Sequence, residues 1–171
     1  MTNEEIVIKV EECNSKHSAL FLGDYIAKNP EHITVLIQLM AEMKQHKHWK
    51  AAWILDHVYQ ENHALIPPYI DDMMAMFSQS STGSILRITG KLLSFHDITN
   101  RVDGNFINRC FDLIISPQTP VAIKVHAMQL AFNISEEYPE LKPELKIILQ
   151  DQLSLGTGGF KSRAKKLIKE L

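Results

Sequence analysis

Cysteine is scarce in this chain. Cys13 and Cys110 are the only two, and neither sits in a CxxC pair. No disulfide framework is expected, which suits a reducing compartment. Long apolar runs are missing as well. No stretch approaches the roughly 20 apolar residues that a membrane-spanning helix needs. The first residues, MTNEEIVIKVEE, are acidic and lack a basic segment ahead of an apolar core, so no secretory signal is expected. A cytoplasmic protein with no membrane contact is the simplest expectation. Charge of one sign is not in excess either. The net charge of −2 gives no overall pull toward nucleic acid or an anionic surface. One region departs from this balance. Lys161, Arg163, Lys165, Lys166 and Lys169 against Glu170 give residues 156–171 a net +4, leaving −6 on the rest. Favourable charge along a terminal helix explains this more simply than a phosphate-binding tail.

What is present is a repeat. Ile33, Ile70, Ile107 and Leu145 are spaced by 37, 37 and 38 residues. Leu36, Met73, Cys110 and Ile148 keep the same steps, as do Ile37, Met74, Phe111 and Leu149. A second register runs between them through Ala52, Thr89, Ala127 and Ala164, with Leu55, Leu92, Leu130 and Leu167 three residues on. Self-similarity at this period marks stacked helical hairpins, each burying its apolar face only against its neighbours.

Local signals fit that reading. Thr2-Asn3-Glu4-Glu5 is a capping box for a first helix with Ile6, Val10 and Cys13 on one face. A second helix runs from about Ser15, with Ala19, Leu22, Gly23 and Ile26 in phase, and stops at Asn29-Pro30. Pro30 then opens the next helix, with Ile33, Leu36, Ile37 and Met40 inward. Trp49 to about Glu61 starts the next hairpin, completed after Pro67-Pro68 by Ile70, Met73, Met74 and Phe77. Ser84 to about His96 and the segment after Asp103-Gly104 form the third. Thr119-Pro120 reads as cap and first turn of a helix with Val121, Val125, Met128 and Phe132 in phase, followed by one opened by Pro143. Gly156-Thr157-Gly158-Gly159 reads as a loop before a last helix carrying Phe160, Ala164, Leu167 and Leu171. No strand alternation competes, and Leu113-Ile114-Ile115 lies in helical phase. The expectation is an all-α chain of ten helices, four hairpins with single helices at either end, forming one domain over 1–171.

Several blocks carry a resemblance. They are His48-Trp49-Lys50-Ala51-Ala52-Trp53-Ile54-Leu55, Cys110 to Ile115, Val121 to Met128, Pro143 to Leu149, and Phe160 to Ala164. Together, over most of the chain, they resemble a family of short HEAT-like proteins of Bacteroidetes bacteria, members of which are often labelled adenylosuccinate lyase. The resemblance implies a HEAT/armadillo-like α-α superhelix and brings no functional residues with it. Adenylosuccinate lyases proper carry a Ser-rich loop with a Met-Pro-x-Lys-x-Asn-Pro motif. Ser78 to Ser84 is Ser-rich here but has no Met-Pro, Lys or Asn-Pro.

Chemistry-bearing residues are sparse. Of eight histidines, His46 and His48 are two apart and read as linker, and His57 and His63 are six apart with no ligand type four away. There is no HExxH. A zinc site needs three or four convergent ligands, so solvated or capping histidines are the better reading, with no metal and no cofactor. Asp56 shares the column of Gly23, Leu93, Ala131 and Ile168, which should face inward. A buried carboxylate needs a partner, and a structural ion pair is favoured over a catalytic acid because no second carboxylate stands at a matching spacing. Met73, Met74 and Met76 read as packing, and Trp49 with Trp53 as cement between helices. The glycine-rich segment lacks the Lys-Ser/Thr ending of a phosphate loop.

If the hairpins curve as HEAT arrays do, the second helix of each lines a concave face. Its outward positions are Gln38 and Glu42; Asp71, Asp72 and Gln79; Asn108, Arg109 and Asp112; and Lys146 and Gln150. With four acids and two bases, this ladder has the wrong balance for a nucleic-acid groove. The expected function is a non-enzymatic module that binds another protein or peptide, a basic one suiting the ladder best. Two other readings stand behind it: a HEAT-like nucleic-acid-binding protein using the basic C-terminal helix, and a small lyase.

Overall fold

Thr2 opens the structure as the sequence requires. Its Oγ1 accepts from the Glu5 amide at 3.2 Å, and the Glu5 carboxylate accepts from the Thr2 amide at 2.7 Å. This capping box starts α1, Asn3–Glu12. Ser15 caps α2, Lys16–Lys28, in the same way, with Ser18 as the reciprocal partner. The computed structural model describes residues 1–42 and 48–171. Among these, ten α-helices and five short 3-10 turns occur, with no strand. The chain divides into two compact units, residues 1–92 and 93–171.

In the first unit α2 is followed by α3 (Ile33–Ala41), α4 (His48–Glu61), α5 (Ile70–Gln79) and α6 (Gly83–Leu93), the last reaching the boundary. Helix α4 packs against both α2 and α3, and α1 against α3 and α4. In the second unit α7 (Gly104–Ile115) pairs with α8 (Val121–Glu137). Helix α9 (Lys142–Gln152) packs on α7 and α8, and α10 (Gly158–Glu170) closes on α8 and α9.

The columns are the core. Ala52, Thr89, Ala127 and Ala164 are fully buried, and Leu55, Leu92, Leu130 and Leu167 nearly so. Thr89 fits an apolar position because its hydroxyl donates to the Ile85 carbonyl at 2.7 Å. Ile33, Ile70, Ile107 and Leu145 are buried too. Cys13 and Cys110 are free and buried, and burial pushes the Cys110 thiol pKa far up. Leu113 and Ile114 lie inside α7 as the phase requires.

Several boundaries and faces differ from expectation. Pro30 and Pro67 each open a 3-10 turn of three residues rather than an α-helix, and Pro139 opens a further one ahead of α9, whose first turn holds Pro143 as expected. The i→i+3 bonds, such as His32 N–H to the Asn29 carbonyl at 3.1 Å, tighten the chain before the α-helix begins. Pro120 is itself the N-cap of α8, so that helix starts one residue later than Thr119-Pro120 suggests. The buried stripe of α8 runs through Ile123, Ala127, Leu130, Ala131 and Ile134, leaving Val121, Val125 and Phe132 half-buried. In α5 Met76 is buried and Met74 only half so, and in α9 Ile148 is half-buried. Gly158 and Gly159 belong to α10, not to the loop. His48 is the first residue of α4 rather than linker, while His46 lies outside the described residues.

Candidate functional site

The outward positions of α3, α5, α7 and α9 face solvent as helical phase dictates. Gln38 and Glu42, at the end of α3, are exposed, as are Asp71, Asp72 and Gln79 around α5. In the second unit Asn108, Asp112 and Gln150 are exposed, and Arg109 and Lys146 are half-buried. Helices α7 and α9 pack against each other. Each row of polar positions is on the opposite side of its helix from the buried column.

Asp56 lies on α4. Its side chain is half-enclosed beside α6, where Lys91 Nζ donates to Oδ1 at 2.6 Å and Gln60 Nε2 to Oδ2 at 3.3 Å. The neighbouring His57 is the surprise. It is only 7% exposed, and neither ring nitrogen has a hydrogen-bond partner. Burial lowers its pKa, the Asp56 carboxylate opposing in part. Gly23 makes this possible. A Cβ there would stand 2.6 Å from His57 Cβ and 3.3 Å from its carbonyl carbon, so only glycine lets α2 approach α4 so closely. Trp53 tilts against the His57 ring and stacks on Trp49, at 6.0 and 6.1 Å between centroids. His32 is also buried, with Nδ1 2.8 Å from Asn3 Oδ1. These two histidines correct the expectation of solvated or capping ones. Among the described residues no group of three or more His, Cys, Asp or Glu side chains could hold a metal ion.

Sequence reasoning missed two of the second unit's clefts. The first, about 370 Å³, lies between residues 94–99 and the C-terminal part of α8. Asp97, Glu136 and Glu137 line it with His96, and Phe95 is exposed at its wall. Thr99 holds Asp97 ionised, its hydroxyl at 2.6 Å and its amide at 3.0 Å lowering the carboxyl pKa. Asn133 Nδ2 donates to the Ser94 carbonyl at 3.0 Å and fixes the loop. Lys142 pairs with Glu136, which removes part of the acidic charge. The second cleft, about 420 Å³, opens where the ends of α7 and α9 meet the starts of α8 and α10. Its walls include Ile115, Val121, Leu155 and Phe160, with Lys124 as the one charged residue. Nothing periodic marks either cleft. The exposed apolar residues beside turn segments, Phe95 and Leu155, were the only available signal. The basic α10 is partly accounted for by packing, since Arg163 Nη1 donates to Gln129 Oε1 on α8 at 3.0 Å.

No curated protein and no solved structure matches this chain. A family model described as a HEAT repeat domain does, over residues 9–171, which takes in nearly all of both units. The helix pairs, the buried columns at a 37–38-residue step and this match agree, and the chain belongs to the HEAT repeat family.

Proposed function

We propose that this chain is a non-enzymatic, cytoplasmic helical-repeat module that binds another protein or peptide through the polar rows of α3, α5, α7 and α9. Membership of the HEAT repeat family supports a module of this kind. The observation that carries the reading is the exposure of Gln38, Glu42, Asp71, Asp72, Asn108, Asp112 and Gln150 on those helices. These side chains contribute nothing to the core, and with Arg109 and Lys146 the whole set carries four acids against two bases, a net −2. A basic or mixed-charge helix or peptide is the complementary partner, and rim charges of this sort set encounter rate and specificity more than raw affinity. The acidic cleft beside α8 adds charge of the same sign in the second unit.

The test is retention of a partner captured with the tagged chain, across a salt series, by wild type, Asp72→Lys, Asp112→Lys and the double variant. We expect binding that weakens with salt, and further loss in the double variant by about tenfold, since charge reversal at a rim opposes a basic partner. Helical CD and melting should not change, because both positions face solvent. A double variant that binds as well as wild type, or that unfolds, would show that the face is wrong.

A further inference from the structure

The second cleft of residues 93–171 combines three features that the polar rows do not share. Its walls are mainly apolar, with Phe160 almost wholly buried at its base. Gly156 permits this floor, since a Cβ there would collide with the Phe160 ring. Apolar surface continues outward onto Leu155 and Ile115, which are 77% and 46% exposed. Lys124 is the one charged residue among those lining it, and no carboxylate is among them. Its ammonium stands 5.9 Å from the centre of the Phe160 ring, and among the described residues no carboxylate pairs with it. Partial burial lowers its pKa, the mark of a cation that has lost water without gaining a counter-ion. The starts of α8 and α10 meet the ends of α7 and α9 here, so helix dipoles of opposite sign offset one another. Lys124 is left as the dominant local charge.

We propose that this cleft is a docking site for an acidic, apolar peptide segment of a partner protein, which lays an aliphatic or aromatic side chain over Phe160 and a carboxylate on Lys124. Charge complementarity selects an acid. The rim selects a peptide over a small carboxylate. A ligand confined to the cavity would leave Leu155 and Ile115 in water, whereas a chain segment crossing the mouth covers them. This site is separate from the polar rows and of opposite sign, so it takes a different segment from the one proposed for them.

The full chain, labelled with ¹⁵N, is titrated with short synthetic peptides of Leu and Phe with Glu, and with the same peptides carrying Gln in place of Glu. Saturable amide shifts are expected at Val121, Gly156 and Thr157 with the Glu peptides and not with the Gln ones. Lys124→Glu should weaken binding about tenfold, and Leu155→Ser a few-fold, as loss of a paired charge and of an apolar rim contact. Leu155→Ser changes a highly exposed position, so it keeps the test readable should Lys124→Glu lower stability. Absence of saturable shifts, equal binding of the Gln peptides, or unchanged binding by both variants overturns the proposal. Saturation by decanoate with Leu155→Ser without effect overturns it too, by making the cleft a small-molecule site. Asp72→Lys should leave these titrations unchanged, so failure here and failure of the polar rows are separable.

Discussion

In residues 1–92 the interior holds His32, Lys50, His57, Ser80 and Thr89, whereas in 93–171 Ser135 is the one buried polar residue among those described. Two of the first unit's buried polar groups, Lys50 and His32, tie helices together. Lys50 Nζ, on α4, donates to the Glu11 carbonyl at 2.7 Å and to Asn14 Oδ1 at 2.8 Å, closing the end of α1. His32 reaches Asn3 at the start of the same helix. In the second unit Ser135 serves only its own helix, donating to the Phe132 carbonyl at 2.8 Å. Polar ties between elements of that unit, Asn133 to the Ser94 carbonyl and Arg163 to Gln129, are only part-buried, and the unit carries clefts of about 370 and 420 Å³. One family of hairpins has therefore been closed in two ways. A polar group between helices fixes their relative placement, because moving it leaves a desolvated donor or acceptor unmet. An apolar contact has no such directional demand and fixes less.

The largest effects should come from the columns common to both units. Leu55→Ala and Leu130→Ala each remove a buried side chain of the same register and should cost about 2–5 kcal/mol. The two buried thiols report on the units separately, Cys13 on the first and Cys110 on the second. Labelling with a thiol reagent at fixed pH should speed up chiefly at Cys13 in Leu55→Ala and chiefly at Cys110 in Leu130→Ala. Equal acceleration at both thiols in both variants would mean that the units open together, and the contrast between them would not extend to stability.

A smaller effect should separate the units by their polar ties. Lys50→Met keeps the stem and removes the amine that two oxygens accept from. A loss of about 1–3 kcal/mol is expected in urea unfolding, the cost of taking away a buried donor. Ser135→Ala, the matching change in the second unit, should cost less, because only a bond within one helix is lost. If Lys50→Met proves neutral, packing of its stem rather than its hydrogen bonds is what holds α4 against α1.

The columns were legible because a repeat states its core several times over. Ile33 can be misread alone, but not with Ile70, Ile107 and Leu145 at the same step. The cap at Thr2 was legible as a capping box, whereas Ser15 and Asp103, read only as helix starts, prove to be caps whose side chains bond the first turn directly. Errors came at single column positions and where a helix has more than one covered side. Met74 and Ile148 slip out of their columns to half-burial, while Leu36 and Ile37 of α3 keep theirs. Helix α4 is packed by α2 on one side and α3 on another, so a one-face reading placed His57 at the surface. The clefts could not be read at all. Residues 94–99 line one cleft with the end of α8, and Leu155 lines the other with Ile115, at positions that belong to no apolar column.

The least of the expected effects concerns His57, and it tests whether polar burial makes the first unit sensitive to acid. Its ring is buried against Gly23 and Trp53 with no hydrogen bond. The charges that act on it are Asp56 and Glu61, which favour protonation, and Lys16 and Lys91, which oppose it. Desolvation outweighs them, and the folded pKa lies below the usual value of 6.5. The unfolded chain therefore takes up this proton first as pH falls. The stability that neutral His57 contributes is complete above 6.5, declines as pH drops from there toward the lowered folded value, and falls no further below it. Melting temperatures taken from neutral pH down through that window should decline, and His57→Leu should flatten the decline, since it keeps the Cβ contact with Gly23 and removes the titrating ring. An equally steep decline in His57→Leu would assign the acid sensitivity to other groups. If that decline were then followed by Cys110 rather than by Cys13 in hydrogen exchange of their amides, the second unit would be the acid-labile one, and the contrast in buried polar groups would not govern the response to pH.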